Sequence, residues 1–338
     1  MSVPIGNDQL QDALTPRLEL IEERLRDAVA QSDRLADATS RHLVDAGGKR
    51  LRPMLVLLAS QLGDGSRPEV LDAAVVCELT HLATLYHDDV MDSAPTRRGA
   101  PSAHEVWGNS VAILTGDLLF ARASVVVAGL GPEAVRLQAT TFERLCLGQL
   151  HETVGPAEDD DPVEHYIQVL ADKTGSLVAM SARFGAMFAG CAPTIVKQVT
   201  QYGELAGVAF QLADDVLDIR SDTEVSGKTP GTDLREGVDT MPTLLLRRRI
   251  AAGPGPEVSA EQHAADLALL ADIDGDLTSD EALASVVDRL RVHPVVDQTA
   301  ALAHDWSRQA IVAIDGLPAG EVKDALVAFA EALVARAA

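Results

Sequence analysis

The sequence predicts an all-α protein, and three observations lead to this class. Apolar residues make up 47% of the 338 residues and aromatic residues only 3%. Ala, Leu and Val dominate the apolar set, which favours helices over β-sandwiches. Apolar residues also recur at helical spacing from the first segment onwards, as at Leu10, Leu14, Leu18, Ile21 and Leu25. No stretch alternates convincingly between apolar and polar residues, so we expect almost no β-sheet.

Composition also restricts the partners and the compartment. The formal net charge of −23 argues against binding to nucleic acids or electrostatic docking on anionic lipid. Cys77, Cys146 and Cys191 lie apart in apolar contexts and are expected to be core residues in a reducing compartment. No signal-peptide core and no uninterrupted apolar run of membrane-spanning length is present. We therefore expect a cytoplasmic protein with at most peripheral membrane contact.

The first basic cluster follows the N-terminal helical segment. Residues 10–46 are predicted to form one or two amphipathic helices that end at Gly47-Gly48. Lys49, Arg50 and Arg52 come next, and Pro53 suits the first turn of a helix over 54–62. Cations and free backbone N–H groups at a helix entry can seat a diphosphate. An ordinary basic loop is the alternative, but the overall acidity of the chain makes the cluster informative.

The helical run 77–92 ends in three aspartates, and the chain is organised around it. Asp88 and Asp92 are four residues apart, so their carboxylates project from one helix face. Acids at a helix C-terminus are unfavourable because the macrodipole is already negative there. Bound divalent cations such as Mg²⁺, which take oxygen ligands and hold phosphates, would offset this cost. A solvated acidic helix end is the alternative.

The same aspartate spacing returns at Asp214, Asp215 and Asp218, again after an apolar run. Several helices fit between the two sets, so both can face one cavity. Converging carboxylates would repel each other and raise each other's pKa values unless cations lay between them. The repetition therefore predicts several metal ions and an anionic ligand between two acidic walls.

Further basic groups lie near both aspartate sets. Arg97-Arg98-Gly99 is either a salt-bridge network or a second phosphate clamp. Buried helices are predicted over 102–130 and 133–151. Thr174 or Ser176 is predicted to cap the next helix, with Lys173 at its positive end.

The second aspartate set is followed by a loop that could cover it. The helix over 194–218 carries Gln211 one turn before Asp215. The loop 227–233 is rich in Gly, Pro and Thr and is predicted to form a lid from which Lys228 could reach a phosphate.

The C-terminal third contains helices without chemical clusters. After a break at 251–256, amphipathic helices are predicted over 261–270, 279–290, 294–314 and 320–338. We interpret the chain as one domain, 1–338, with a motif-bearing core at about 43–246 and C-terminal helices within 257–338.

Taken together, these motifs resemble the trans-isoprenyl diphosphate synthase (polyprenyl synthetase) family, and in particular its bacterial medium- and long-chain members. The resemblance rests on GGKRLRP (47–53), HDDVMD (87–92), RRG (97–99), KTG (173–175), QLADDVLD (211–218) and GKTPGTDL (227–234). It implies an all-α isoprenoid synthase fold, in which a helical bundle surrounds a deep central cavity, usually in a homodimer.

The resemblance also implies a role for each motif residue. About three Mg²⁺ ions are expected, two on the first aspartate set and one on the second. The metal ligands would be Asp88, Asp92, Asp214 and Asp218, and the catalytic residues Asp88, Asp92, Lys173 and Asp214. The allylic diphosphate would be held by Arg97, Lys173, Thr174, Gln211 and Lys228. Isopentenyl diphosphate would be held by Lys49, Arg52, His81 and Arg98.

The implied reaction is a Mg²⁺-dependent head-to-tail (1′-4) condensation of isopentenyl diphosphate with an allylic prenyl diphosphate, which gives an all-trans product. In the family, bulky aromatic residues four or five positions before the first aspartate keep products short. Ala83 and Thr84 occupy these positions here, and Thr80 lies a further turn down. The sequence therefore predicts a product longer than farnesyl, from geranylgeranyl to a long quinone side chain.

Four alternatives stay open. A short-chain geranylgeranyl or farnesyl diphosphate synthase would share every motif. A class I terpene cyclase would not need GGKRLRP and normally has a different second metal motif. A helical phosphohydrolase using His87-Asp88 would leave the second aspartate set unexplained. An inactive partner subunit would tend to lose aspartates that are all present here.

Overall fold

Helices form nearly all the regular structure of the computed structural model, which describes residues 6–221, 230–256 and 258–335. This agrees with the predicted all-α class. In chain order the helices are α1 (Asp8–Val29), α2 (Arg34–Asp45), α3 (Leu51–Ser60), α4 (Pro68–Met91), α5 (Ala103–Trp107), α6 (Asn109–Ala128), α7 (Pro132–Val154), α8 (Pro162–Leu170), α9 (Ser176–Phe188), α10 (Pro193–Arg220), α11 (Thr232–Arg235), α12 (Met241–Ala252), α13 (Ala260–Ile273), α14 (Asp280–Arg291), α15 (Pro294–Ala313) and α16 (Glu321–Val334).

Several helices begin where the sequence places a proline or a capping side chain. Pro68, Pro132, Pro162, Pro193 and Pro294 are each the first residue of a helix. Proline suits this position because its missing N–H would have no partner within the helix. These local signals explain why the helix boundaries were largely predictable.

One short hairpin departs from the expectation of pure helix. Strands β1 (Thr96–Arg97) and β2 (Ala100–Pro101) pair in antiparallel fashion. The two turn residues, Arg98 and Gly99, both have left-handed backbone angles, with φ of 55° and 79°. Two consecutive positive φ values are typical of the tight turn that joins such strands. The hairpin therefore directs the arginine pair back towards the bundle.

The core consists of two apolar clusters joined by α10. The first cluster packs α1, α3, α4, α6, α9 and the start of α10, and it includes Tyr202. The second packs the end of α10 with α8 and the helices from α12 to α15, and it includes Val216. Helix α10 also packs extensively against α15 and α9, and α4 against α6. Since α10 belongs to both clusters, it holds the two aspartate-bearing parts of the chain together.

The segment around Lys173 differs from the predicted helix start. Residues Ala171–Gly175 form a π-helical turn between α8 and α9, so the helix is continuous there. No side-chain cap is present, and Ser176 Oγ instead donates to the Asp172 carbonyl at 2.6 Å. The predicted cap was therefore wrong, because the preceding helix does not end. Single π-turns inside helices often occur at functional sites.

A close glycine contact fixes this π-turn against α10. A Cβ added at Gly207 would lie 2.7 Å from the Gly175 Cα. Only glycine allows the two backbones to approach this closely, which brings the Lys173–Thr174 turn beside α10.

Helix α6 is the one helix in the described parts of the chain that is long and apolar enough to cross a membrane. By length and composition alone this is weak evidence, since core helices pass the same test. Helix α6 packs against α4 and carries Asp117 and Arg122.

Candidate active site

Both aspartate sets line one polar cavity of about 670 Å³. The first set reaches it from the C-terminal end of α4 and the second from the C-terminal end of α10. The cavity therefore unites groups that are far apart in the sequence, as the repeated spacing predicted. Its lining includes these residues singled out from the sequence: Lys49, Asp88, Asp92, Arg97, Lys173, Thr174, Gln211, Asp214 and Asp218.

The first wall is a strained electrostatic environment. The pKa of Asp88 is raised to about 6, mainly by burial and also by the carboxylates of Asp92 and Glu152, while the charges of Lys173 and Arg97 oppose the rise. Desolvation raises the pKa of Asp92 as well. These carboxylates are therefore costly to ionise together, which a cation between them would relieve.

Glu152, on α7, is a cavity residue that sequence reasoning missed. Its carboxylate pairs with the Lys173 ammonium. Burial opposes the charge of Lys173, but Glu152 and Asp88 raise the pKa of Lys173 on balance. Glu152 follows a helical stretch that carries no recognisable motif, and its sequence spacing does not relate it to Asp88. Only the packing of α7 beside the π-turn brings it into the site.

The second wall is bound to the chain that follows it. Asp218 Oδ1 accepts a hydrogen bond from the Thr232 backbone N–H at 3.2 Å, at the start of α11. Thr174 Oγ1 donates to Gln211 Oε1 at 3.3 Å, which links the π-turn to α10. The described part of the loop thus returns across the second aspartate set. Lys228 lies outside the described residues, as do the neighbouring positions 227 and 229 of the predicted lid.

The central aspartate of each set, Asp89 and Asp215, is 1% exposed. Asp89 Oδ1 accepts a hydrogen bond from Arg97 Nε at 2.6 Å. Asp215 Oδ2 accepts from the Tyr166 hydroxyl at 2.9 Å and from the Met241 backbone N–H at 3.3 Å. These two aspartates therefore position neighbouring elements. Asp89 does so through a charged guanidinium, and Asp215 through neutral hydrogen-bond donors.

A basic cluster lies behind the first wall. Arg52, His81 and Arg98 are not among the cavity-lining residues, whereas the exposed Lys49 is. Burial, together with the nearby arginines, holds the pKa of His81 well below its usual range, so His81 is neutral. Arg52 Nε is shielded from solvent and has no hydrogen-bond partner in the protein. Such a donor is suited to an incoming anion.

An apolar cavity of about 490 Å³ adjoins the first wall. Asp88 and Lys173 line both cavities, so the two spaces meet at these residues. Of the three predicted chain-length residues, Thr84 lines the apolar cavity. Its deeper lining includes an aromatic pair, Phe120 and Phe142, with ring centroids 4.0 Å apart.

The other two predicted chain-length residues face elsewhere. Ala83 and Thr80 are fully buried and are not among the residues that line this cavity. A Cβ added at Gly116 of α6 would lie 3.1 Å from the Ala83 carbonyl oxygen. Thr80 Oγ1 donates to the Val76 carbonyl at 2.8 Å. Neither residue therefore contributes to the wall of the apolar cavity.

The donor set fits divalent metal ions that share their ligands with a phosphate. Carboxylates are the oxygen donors that Mg²⁺ and Ca²⁺ take. Among the described residues, no three His, Cys, Asp or Glu side chains are grouped closely enough to hold a metal by themselves. Two carboxylates per wall leave coordination positions for water and phosphate oxygens, which is how Mg²⁺ is usually held in phosphate-binding sites.

Comparison with known proteins identifies the family. The sequence pattern of the family described as "Polyprenyl synthetase" matches residues 33–253. A nonaprenyl diphosphate synthase of Mycobacterium tuberculosis is 40% identical over 335 residues, which cover 99% of this chain and 96% of that protein.

Two crystal structures superpose over nearly the whole chain. One is a polyprenyl synthase of Caulobacter crescentus CB15 complexed with calcium and isoprenyl diphosphate, with a TM-score of 0.87 and 29% identity, covering 100% of this chain and 99% of that one. The other is a geranylgeranyl pyrophosphate synthase of Corynebacterium glutamicum with the same ligands, with a TM-score of 0.83 and 40% identity, covering 99% of each chain. The chain therefore belongs to the polyprenyl synthetase family and is a prenyl-transferring enzyme with the all-α isoprenoid synthase fold.

Proposed function

We propose that this enzyme is a polyprenyl diphosphate synthase that condenses isopentenyl diphosphate head-to-tail with an allylic prenyl diphosphate, in the presence of Mg²⁺. The observation that carries the proposal is the pair of adjoining cavities. The polar one is lined by both aspartate sets, and the apolar one meets it at Asp88 and Lys173. This geometry suits a ligand with a charged head and a long hydrocarbon tail.

The residues of the polar cavity divide into two tasks. Asp88 and Asp92 would hold two Mg²⁺ ions and Asp214 with Asp218 a third, and these ions would neutralise the departing diphosphate. The allylic diphosphate would be held by Arg97, Lys173, Thr174, Gln211 and, as a prediction, Lys228. Glu152 and Asp88 stabilise the charged form of Lys173, which supports a role for its ammonium in neutralising the departing diphosphate.

The basic cluster behind the first wall would hold isopentenyl diphosphate through Lys49, Arg52, His81 and Arg98. Neutral His81 can donate a hydrogen bond without adding another charge to the arginines around it. Fixing both substrates brings the isopentenyl double bond to the allylic carbon, which makes the addition effectively unimolecular. The apolar lining of the second cavity keeps water away from the reacting carbons.

The product is proposed to be longer than farnesyl. Support comes from the small side chain of Thr84 one turn below Asp88 and from the apolar cavity beyond it. The nonaprenyl synthase relative fits this length. A shorter geranylgeranyl product is the second candidate, because the geranylgeranyl synthase of Corynebacterium glutamicum is also 40% identical and because Phe120 and Phe142 narrow the cavity.

Assembly, domain organisation and location complete the proposal. Exposed apolar side chains on α6 and α7, among them Leu114, Val125, Leu150 and Val154, support a homodimer formed through this face. The passage of α10 through both apolar clusters supports a single domain over 1–338. A cytoplasmic location with at most peripheral membrane contact stays a prediction.

Incubation with labelled isopentenyl diphosphate tests the proposed function. The purified protein is supplied with Mg²⁺ and, separately, with dimethylallyl, geranyl, farnesyl or geranylgeranyl diphosphate. We expect chain elongation with at least one primer, a product longer than farnesyl, and no reaction in EDTA. Cyclic hydrocarbons without incorporated isopentenyl label would instead indicate a terpene cyclase. Absence of any product from a folded, Mg²⁺-loaded dimer would contradict the proposal.

A further inference from the structure

Glu78 is a buried carboxylate in the apolar part of α4 that the reaction described above does not use. It is 2% exposed. A buried carboxylate is costly unless it is paired and hydrogen-bonded. Its place in the fold therefore needs a reason. It lies three residues before His81 on the same helix face, which directs it towards the basic cluster.

Glu78 joins the elements from which the basic cluster is built. Its Oε1 accepts a hydrogen bond from Arg50 Nη1 at 2.7 Å and lies 3.8 Å from Arg98 Nη2. Arg50 comes from the glycine loop between α2 and α3, and Arg98 from the hairpin turn. The carboxylate thus connects α4 to both basic segments.

Both arginines hold unusual backbone conformations. Arg50 has φ of 48° and Arg98 has φ of 55°. Left-handed angles cost free energy in residues other than glycine, so the surrounding contacts must maintain them. Arg98 Nη1 also donates to the Leu43 carbonyl at 3.0 Å and to the Gly47 carbonyl. A Cβ at Gly48 would lie 2.8 Å from the Arg98 Cζ, so that position requires glycine.

The cluster keeps an excess of positive charge after this pairing. Arg50 is shared between Glu78 and Glu22, whereas Arg52 has the shielded, unpartnered Nε. Burial lowers the pKa of Arg52, and the Glu78 carboxylate opposes that effect. The carboxylate therefore stabilises the buried positive charge of Arg52 while leaving its Nε donor free.

We infer that Glu78 is a positioning residue for isopentenyl diphosphate: it holds the Arg50 and Arg98 side chains so that Arg52, Arg98 and Lys49 present a fixed cationic seat. The inference rests on the proposed function of the same cluster. It differs from a merely structural ion pair because it predicts a loss confined to one of the two substrates.

The test compares Glu78→Gln with Glu22→Gln. Glutamine keeps the size of Glu78 but removes the charge that fixes both arginines, whereas Glu22→Gln removes a carboxylate from Arg50 and Arg26 and leaves the contact of Glu78 with Arg98 in place. For Glu78→Gln we expect the KM for isopentenyl diphosphate to rise about tenfold or more, as for the loss of a charged hydrogen bond. We expect the KM for the allylic primer to stay at its wild-type value. Glu22→Gln should change the KM for isopentenyl diphosphate much less.

Direct binding gives a second readout. Without a primer isopentenyl diphosphate is not consumed, so calorimetric titration measures its affinity alone, and Glu78→Gln should weaken it. Arg50→Lys keeps the positive charge but loses the forked guanidinium contact, so it should also weaken the affinity for isopentenyl diphosphate. This variant tests the inference if Glu78→Gln does not fold. Equal losses for both substrates, or an unchanged affinity for isopentenyl diphosphate, would overturn the inference. A wild-type enzyme that does not elongate primers would overturn the proposed function instead.

Discussion

The two aspartate sets have the same spacing but lie in different surroundings. The first set adjoins Lys173, Glu152 and the mouth of the apolar cavity. The second is bound to backbone N–H groups of the chain that returns at α11. Their central aspartates differ likewise, since Asp89 pairs with a guanidinium and Asp215 with neutral donors.

This difference teaches that equal motifs need not have equal roles. The first wall has a resident ammonium group and adjoins the apolar cavity, which supports the proposal that it anchors the head of the growing chain. The second wall is joined by a hydrogen bond of Asp218 to the start of α11. The predictions below test this division, starting with the change expected to have the largest effect.

Removal of one metal-facing carboxylate from each wall should abolish most of the activity. Asp88→Asn and Asp214→Asn are each expected to lower kcat about 100-fold or more, because each takes away charge that stabilises the departing diphosphate. Steady-state kinetics at saturating Mg²⁺ measures this. A substantial rate in either variant would show that one wall suffices.

A bulky side chain in the apolar cavity should shorten the product. Thr84→Phe fills the space directly below Asp88 and is expected to shift the product mixture towards farnesyl or shorter, with little change in the first condensation. Chromatography of the extracted products measures the lengths. Ala83→Phe is the matched control, since Ala83 is fully buried and does not line the apolar cavity: it should destabilise the fold rather than reset the length. The opposite outcome would place the floor of the cavity at Ala83.

Removal of the Glu152 charge should weaken Mg²⁺ binding at the first aspartate set alone. Glu152→Gln takes one negative charge away from Asp88 and Asp92, so the Mg²⁺ concentration for half-maximal activity should rise about fivefold. Glu143→Gln, at an exposed position of the same helix, is the control and should leave the Mg²⁺ requirement unchanged. An unchanged requirement in Glu152→Gln would remove Glu152 from the site.

The Mg²⁺ requirement should also depend on pH. The pKa of Asp88 is raised to about 6 by burial, so below this pH a proton occupies the carboxylate and competes with the metal. Half-maximal activity should therefore need more Mg²⁺ at pH 5.5 than at pH 7.5. The competition is measured as a Mg²⁺ titration at each pH, and a requirement that does not change between them would contradict it.

The central aspartates should affect stability with opposite signs. Burial raises the pKa of Asp215 well above its usual range. The folded protein therefore loses stability as the pH rises from the unfolded-state pKa of this carboxyl group through its folded-state pKa. Asp215→Asn should raise Tm by about 2 °C at pH 7.5, and the gain should shrink towards pH 4. Asp89→Asn should lower Tm, because Arg97 loses its partner. Thermal denaturation in EDTA compares the two, and changes of equal sign would contradict the contrast.

The sequence predicted the features that depend on local spacing. The aspartate pairs lie four residues apart on one helix face, and prolines begin several helices, so α4, α10 and their acidic ends could be located in advance. The convergence of Lys173, Thr174 and Gln211 was expected from the family resemblance, although Lys173 lies in a π-turn and not at a helix start.

Features that depend on tertiary packing were not predictable. Glu152 joins the site only because α7 packs beside the π-turn, and Arg50 turns towards Glu78 only because of a left-handed backbone angle. One signal was available: Glu78 is a lone charged residue in an apolar run, three positions before His81. Similarly, helical spacing alone did not show that Ala83 is buried outside the lining of the apolar cavity.

Asp88 and Lys173 line both cavities, so they define a fixed point from which the depth of the apolar cavity is counted. Under the proposed function, each round of growth begins with the diphosphate head at these residues, and the tail extends from them into the apolar cavity. A substitution that moved the head by one helical turn, about 5.4 Å, would thus change the length of the finished chain without altering any residue around the tail.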